Sequence, residues 1–295
     1  MGYLIQQMGH VVISSPDPLG AAKDLQETVG LRITEQDGEA VYLSSNDRHH
    51  EVTYVHGSGK AVALGLEAVS PDAVDEVYRR AKSDGLEILS DKPIGKHYAR
   101  AVTIVAPGGA VFEVHTPIAR SQAARSNGVG ARPRRIEHVN AFSPDTAAFG
   151  AFCEKTLRMK LSDRTSDDGF RWYRAADGYH HTIAMGPGAS ALHHYAFDHH
   201  CFEDLSRIAD NLALKDRALV WGPGRHGAGD NIFTYYADPH GCIVENSIEM
   251  ARIDCDATYE PRNWDISEGL NGRWVNLWGT PPTPRFLVPG IPFGS

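Results

Sequence analysis

At 295 residues the chain is long enough for two domains, and its 42% apolar and 22% charged residues are ordinary for a soluble globular protein. A net charge of −8 without a dense basic patch argues against nucleic acid as a partner. No apolar run reaches membrane-span length, the first residues lack a basic signal region, and position 6 is Gln rather than the Ser or Thr of a myristoylation site, so a cytoplasmic protein is expected. The four cysteines, Cys153, Cys201, Cys242 and Cys255, have no CxxC spacing and suggest neither a disulfide framework nor a zinc site.

In chain order, Ser15 or Asp17 can cap a helix that runs to about Val29 and stops at Gly30. Pro71-Asp72 opens a second helix, Ala73 to Ser83, closed by Gly85. Residues 119–133 are polar and rich in Gly, Ser and Arg, which reads as a solvated linker. Beyond it, Arg135 to Phe142 alternates as a strand, putting His138 and Asn140 on one face. Ser143-Pro144-Asp145 opens a helix to about Leu157, Ala191 to Asp198 is a short strand carrying His193 and His194, and Glu203-Asp204 begins a helix to about Leu214. His199 and His200 precede that helix and read as loop or cap residues. Ile232 to Ala237 and Cys242 to Ile248 form a hairpin around Asp238-Pro239-His240-Gly241. The stretch 251–295 holds three of the five tryptophans among several prolines; it cannot be one regular helix, yet its aromatics require burial, so it is expected to pack on the second half, with a lid over a cavity as the functional version.

The sequence repeats itself at low identity. Gly9-His10-Val11 answers Glu137-His138-Val139, and Ser15-Pro16-Asp17 answers Ser143-Pro144-Asp145, both 128 positions on. The run from Pro107 to Glu113 answers the run from Pro239 to Glu245, 132 positions on. A slowly drifting offset indicates two tandem modules, 1–118 and 134–250, joined by the linker 119–133 and followed by the tail 251–295.

Glu245 stands in an otherwise apolar strand. It either lies on a solvated face or is buried beside something that pairs with it, and a metal ion is the simplest such partner. His138 and His194 on two further strands can converge with it, a 2-His-1-carboxylate set of the kind that suits Fe(II) oxygenases because it leaves coordination positions open. Around it run Gly224, His226, Tyr235, Asp238, Pro239, Gly241 and Glu245.

That spacing resembles the signature of type I extradiol ring-cleaving dioxygenases of the vicinal oxygen chelate superfamily: Gly-x-His, a gap, an apolar residue, Tyr, two residues, an acidic or small polar residue, Pro, x, Gly, a short gap, Glu. One position departs, Thr234 standing where an apolar residue is usual. The resemblance implies an α+β fold of two tandem modules, each of paired βαβββ units curling a mixed sheet around a cavity. It implies a metal held by His138, His194 and Glu245, with Fe(II) expected, Mn(II) an alternative served by the same ligands, and O2 as co-substrate. It favours His194 over His193 as the ligand, because a strand presents only one of the two to the cavity and His193 should then face away.

The resemblance further implies that His180, 14 residues before His194, is the acid-base histidine, and that His226 and Tyr235 hydrogen-bond the substrate oxygens, with Asn140 on the oxygen side. In module one His10 and Glu113 survive, but a constant offset puts Leu66 at the second histidine position and Thr103 at the tyrosine position, so these read as remnants; His49-His50 echoes His180-His181. Trp172, Tyr173, Met185 to Ser190 and the tail aromatics are candidates for an apolar pocket wall, with no arginine assignable to it. The implied activity is extradiol cleavage of a small aromatic diol to a muconic semialdehyde-type product by a homo-oligomer of two or four chains. The alternatives are a 4-hydroxyphenylpyruvate dioxygenase-like oxygenase and a non-catalytic binding protein on the same fold.

Overall fold

The structure, a computed structural model, describes residues 2–121 and 131–294; most of the expected linker, 122–130, lies outside the described residues. The first repeat runs β1 (Ile5–Ser15), α1 (Pro18–Val29), β2 (Arg32–Gln36), β3 (Ala40–Ser44) and β4 (Val52–His56), then β5 (Ala61–Ala68), α2 (Pro71–Ser83), β6 (Ile88–Ser90), β7 (Ala101–Val105) and β8 (Val111–His115). This is one βαβββ unit followed by another. Their strands interleave into a single mixed sheet of order β2-β3-β4-β1-β5-β8-β7-β6, in which β1 lies parallel to β4 and antiparallel to β5.

The second repeat copies it: β9 (Arg135–Ser143), α3 (Thr146–Ala151), β10 (Lys160–Thr165), β11 (Arg171–Arg174), β12 (Ile183–Pro187), β13 (Ala191–Asp198), α4 (Phe202–Ala213), β14 (Trp221–Arg225), β15 (Ile232–Ala237) and β16 (Ile243–Ile248). Its strand order, β10-β11-β12-β9-β13-β16-β15-β14, is that of the first sheet element for element. The tail extends it: β17 (Arg262–Trp264) joins β10, β18 (Trp278–Gly279) joins β14, and β19 (Ile291–Pro292) pairs with β13. The α+β architecture of paired βαβββ units is as the sequence resemblance implied. Among the described residues no helix is long and apolar enough to cross a membrane.

The local signals account for the helices. The Asp17 carboxylate accepts from Gly20 N at 2.9 Å, and Gly30 closes α1 in the left-handed conformation (φ 94°) that glycine adopts without a Cβ penalty. Ser70 caps α2 by accepting from Ala73 N at 3.2 Å. The helix expected from 146 to Leu157 divides: α3 ends at Ala151, and a π turn, Phe152–Thr156, carries the helical path on to Leu157. That turn buries Phe152 and Cys153, and Phe149 and Phe152 pack their rings 6.0 and 5.7 Å from Phe112 of module one. Each such phenylalanine contributes on the order of 1.5–3 kcal/mol by leaving water, so the two sheets share one core. Polar ties reinforce it: Tyr54 and Tyr195 share a hydroxyl contact of 3.3 Å, and Glu51 accepts from Ile136 N at 2.9 Å.

Register corrects one sequence expectation. Val12 faces Ala63 across β1 and β5, as Asn140 faces His194 across β9 and β13. The module-one counterpart of His194 is therefore Ala63, and Leu66 is a core residue with no exposed surface. A constant offset misplaced it because the loops between strands differ in length.

Candidate metal centre

His138, His194 and Glu245 sit on β9, β13 and β16, three adjacent strands of the second sheet, and all three are almost fully buried. One donor atom from each lies within 4.8 Å of the others. The Glu245 Oε2 is 3.0 Å from His138 Nε2 and 3.2 Å from His194 Nε2.

Neighbouring groups fix which ring nitrogen of each histidine is free. His193 Nε2 lies 3.0 Å from the Phe286 carbonyl, which can only accept, so that nitrogen carries the hydrogen and His193 Nδ1 is bare. His194 Nδ1, 2.8 Å away, must then donate to it, leaving His194 Nε2 with a lone pair facing Glu245. His138 Nδ1 likewise donates to the Glu137 carboxylate at 3.1 Å, and Ser247 Oγ steadies the same Glu137 oxygen at 2.8 Å. This is the carboxylate-behind-histidine arrangement that orients metal-binding imidazoles. On the far side of Glu245, Asn231 Nδ2 donates to Oε1 at 3.0 Å.

The electrostatics fit a cation. Burial by itself would raise the Glu245 carboxyl, but His138 and His194 hold it well below the usual carboxylate range. Burial pulls His138 down, yet Glu245 and Glu137 outweigh it and push it up to about 9. Without a metal, then, a proton shared with Glu245 supplies the positive charge that the buried carboxylate demands. His194 is lowered by burial against the opposing pull of Glu245, which keeps it a neutral donor. Two imidazoles and one carboxylate, each already oriented by a second partner, form a donor set suited to a divalent transition ion with positions left open.

The centre forms the floor of a cavity of about 500 Å³ with predominantly apolar walls. Phe170, Trp172, Trp221, Trp274, Phe286 and Val288 line it, with no lysine or arginine among its lining residues. Strands from across the second sheet contribute to one cavity, so the sheet wraps around it. The tail supplies Trp274, Val275, Pro282 and the segment Phe286 to Pro289, so it packs on the second module and also closes the cavity. Tyr173 is not part of the wall; its hydroxyl bonds Glu154 at 3.2 Å.

His226 and Tyr235 meet at this floor. His226 Nδ1 donates to the Val275 carbonyl at 2.6 Å, so Nε2 accepts from the Tyr235 hydroxyl at 2.9 Å. Trp221 stacks on Tyr235 at 5.3 Å and Phe233 on His226 at 3.9 Å, fixing both rings. Burial lowers His226 to about 4 and raises Tyr235 well above 10, so both are neutral at pH 7. Asn140 lines the cavity, and its Oδ1 is buried without a partner.

Two histidines lie elsewhere than expected. His180 does not face the cavity: its Nε2 is 3.2 Å from Asp163 Oδ2 and its Nδ1 is 3.0 Å from His181 Nδ1. His181 is the cavity residue, its ring centroid 4.3 Å from that of His138. Counting back from His194 went one residue too far, because register and not distance along the chain decides which of the pair points inward. The Asp163 carboxylate, 3.2 Å from His180 Nε2, favours the hydrogen on that nitrogen, which leaves His180 Nδ1 to accept from His181 Nδ1 and His181 Nε2 bare. Burial and the neighbouring His138 keep His181 neutral, well below its ordinary range. His193, expected to turn away, also lines the cavity, because a register shift between Leu192 and His194 breaks the strict alternation of β13. His199 is in a loop as expected but fully buried, bonded to Asn246 Oδ1 at 3.0 Å.

Three residues given no role from the sequence orient groups at the site: Glu137 holds its chain neighbour His138 and is steadied by Ser247 from β16, Asn231 holds Glu245, and Asp163 lies against His180. The echo of Glu35 in Asp163, 128 positions on, was a signal for the last.

Residues 7–114 match the model of the Glyoxalase/Bleomycin resistance protein/Dioxygenase superfamily. The chain is 24% identical over 292 residues to a manganese-dependent 2,3-dihydroxybiphenyl 1,2-dioxygenase of Geobacillus genomosp. 3, covering 90% of this chain and 93% of that protein. Its fold superimposes on homoprotocatechuate 2,3-dioxygenase from Arthrobacter globiformis with a TM-score of 0.86 at 22% identity, covering 100% of this chain and 94% of the other. An Mn(II)-bound glyoxalase from Novosphingobium aromaticivorans also superimposes with a TM-score of 0.86, at 25% identity and with 97% and 95% coverage. The first module thus resembles the Glyoxalase/Bleomycin resistance protein/Dioxygenase superfamily, and the chain as a whole has the fold of homoprotocatechuate 2,3-dioxygenase.

Proposed function

We propose that the chain is a metal-dependent extradiol dioxygenase that opens a catechol-type ring with O2 beside the diol, giving a muconic semialdehyde-type product. The observation that carries this reading is the buried His138–His194–Glu245 donor set on the floor of an aromatic-walled cavity. Similarity to a 2,3-dihydroxybiphenyl dioxygenase over nine-tenths of the chain supports the same reaction class.

In this account His138, His194 and Glu245 hold Fe(II) or Mn(II). Bound there, a dication would supply the Lewis acidity that makes the diol easier to deprotonate and the redox capacity that ring opening with O2 draws on. His181, neutral and bare at Nε2, takes the proton that a catechol must lose, since phenols titrate near ~10 in water. Asp163 and His180 hold His181 in that tautomer. His226 and Tyr235 orient the diol from the opposite side, and Asn140 offers its free Oδ1 to the space between. The aromatic walls exclude water and stack on the ring. Because no cation lines the cavity, the substrate is a neutral diol, and the room beyond one ring fits an apolar or aryl substituent. The first module contributes packing rather than a second reaction centre. The protein acts in the cytoplasm, in keeping with four unpaired cysteines, and assembles as a homo-oligomer.

The test is anaerobic loading with Fe(II) or, separately, Mn(II), then addition of air and catechol, 3-methylcatechol or 2,3-dihydroxybiphenyl. The expected result is a yellow ring-opened product with one O2 consumed per diol. Metal-loaded protein that leaves all three diols intact would overturn the assignment.

A further inference from the structure

We infer that module one carries a second divalent-cation site, at its surface, formed by Glu35, His49 and His97, and suited to a borderline ion such as Zn²⁺. Among the described residues only this group and the buried centre bring three such donors within 4.8 Å of one another. Glu35 Oε2 lies 3.1 Å from His49 Nε2 and 2.8 Å from His97 Nε2. The two imidazoles stack with centroids 3.5 Å apart and planes 18° from parallel, and both Nε2 atoms lie within reach of the one Glu35 oxygen. Two nitrogens and one carboxylate oxygen make a donor set for zinc, and partial exposure leaves room for water as a fourth ligand.

The ligands come from three places that the fold holds firmly. Glu35 is on β2, His49 precedes β4, and His97 lies in the loop before β7. His49 Nδ1 contacts His50 Nδ1 at 3.1 Å, a second interaction of the kind that orients a metal-binding imidazole. The His97 carbonyl accepts from Ala119 N at 2.6 Å, which pins its loop. Lys96 Nζ is engaged by Asp37 Oδ2 at 2.5 Å and lies 3.6 Å from the other Glu35 oxygen, so the ligand oxygen is not the one it covers.

Comparison of the modules shows how the cluster arose. By strand register Glu35, His49 and His50 are the counterparts of Asp163, His180 and His181, and in sequence Gly95-Lys96-His97 answers Gly224-Arg225-His226. In module two His226 points inward to Tyr235. In module one Thr103 replaces that tyrosine, and His97 adopts a left-handed backbone (φ 71°), uncommon for a residue with a Cβ, and joins Glu35 and His49 outside. Duplicated residues thus make a different donor set. A bound ion would clip β2 to the loops before β4 and β7.

The test titrates ZnCl2 into enzyme already loaded at the buried centre, by calorimetry, with metal analysis of the dialysed protein and a melting curve. The expected result is one zinc per chain beyond the resident metal and a zinc-dependent rise in Tm. In H97Q and E35Q, binding weakens at least ~10-fold and the Tm rise disappears. Zinc invading the buried centre would release the resident metal, which the same analysis detects. No extra zinc in the wild type, or equal uptake by the wild type and both variants, would overturn the inference. Neither result depends on ring cleavage.

Discussion

The two modules share a strand order and a helix plan, yet among the described residues only the second assembles a buried metal-binding set. In module two Glu245 is flanked by two imidazoles and steadied by Asn231. In module one Glu113 has one imidazole, His10 at 3.4 Å, while Tyr98 donates to its Oε2 at 2.7 Å and Ile94 N to its Oε1 at 2.9 Å. Ala63 stands where His194 would be. One lost ligand and one acquired tyrosine turn a cation-demanding carboxylate into one satisfied by neutral donors. The comparison teaches that fold symmetry survives the loss of a site, because the core depends on strand pairing and apolar burial rather than on the ligands.

The paired substitutions Glu245→Gln and Glu113→Gln should give the sharpest contrast. The first is expected to lower metal affinity and ring cleavage by at least ~10²-fold. The second should leave cleavage within about twofold, as distant sites act independently, while costing about 1–3 kcal/mol of stability in urea unfolding, because the amide offers one acceptor oxygen to two donors, the Tyr98 hydroxyl and Ile94 N. Equal losses of activity from both would end the asymmetry.

His181→Ala should reduce kcat by ~10²–10⁴-fold with metal retained. His180→Ala should cost less and shift the acidic limb of the pH profile, because His180 acts through His181. The reverse ranking would restore His180 as the group that meets substrate.

Metal binding should also report the proton held at the centre. Since His138 is raised to about 9, it carries its proton below that pH and must release it to bind a metal. Affinity should therefore rise by up to about tenfold per pH unit toward pH 9, with about one proton released per ion, measured by calorimetry in buffers of different ionisation enthalpy. Glu137→Gln should lower affinity ~10–100-fold at constant pH. Independence of pH would mean that His138 is already bare.

The smallest effect concerns the wall that module one lacks. Phe286→Ala should raise KM for 2,3-dihydroxybiphenyl by ~10-fold, a hydrophobic contact of roughly 1–3 kcal/mol, and change catechol little. A charged dihydroxyphenylacetate should be a poor substrate for both proteins, since no cation lines the cavity.

Much of the fold was legible because duplication printed it twice. His10 and His138, Pro16 and Pro144, and Glu113 and Glu245 mark corresponding strands and turns, and Asp17, Gly30 and Pro71 mark helix ends. The directions of His180, His181 and His193 were not legible, because they depend on where a strand begins to pair and where it bulges, which alternation does not encode. The roles of Glu137 and Asn231 depend on which way their side chains turn, which neighbouring residue types do not encode, and the three tail strands, of two or three residues, carry no periodic signal.

The most direct test of the central claim, that ring opening belongs to module two alone, is oxygen uptake by metal-loaded His194→Ala and His10→Ala proteins supplied with catechol. The account predicts one O2 consumed per catechol by His10→Ala, as by the wild type, and none by His194→Ala. Uptake by His194→Ala, or its loss in a folded and loaded His10→Ala protein, would contradict it.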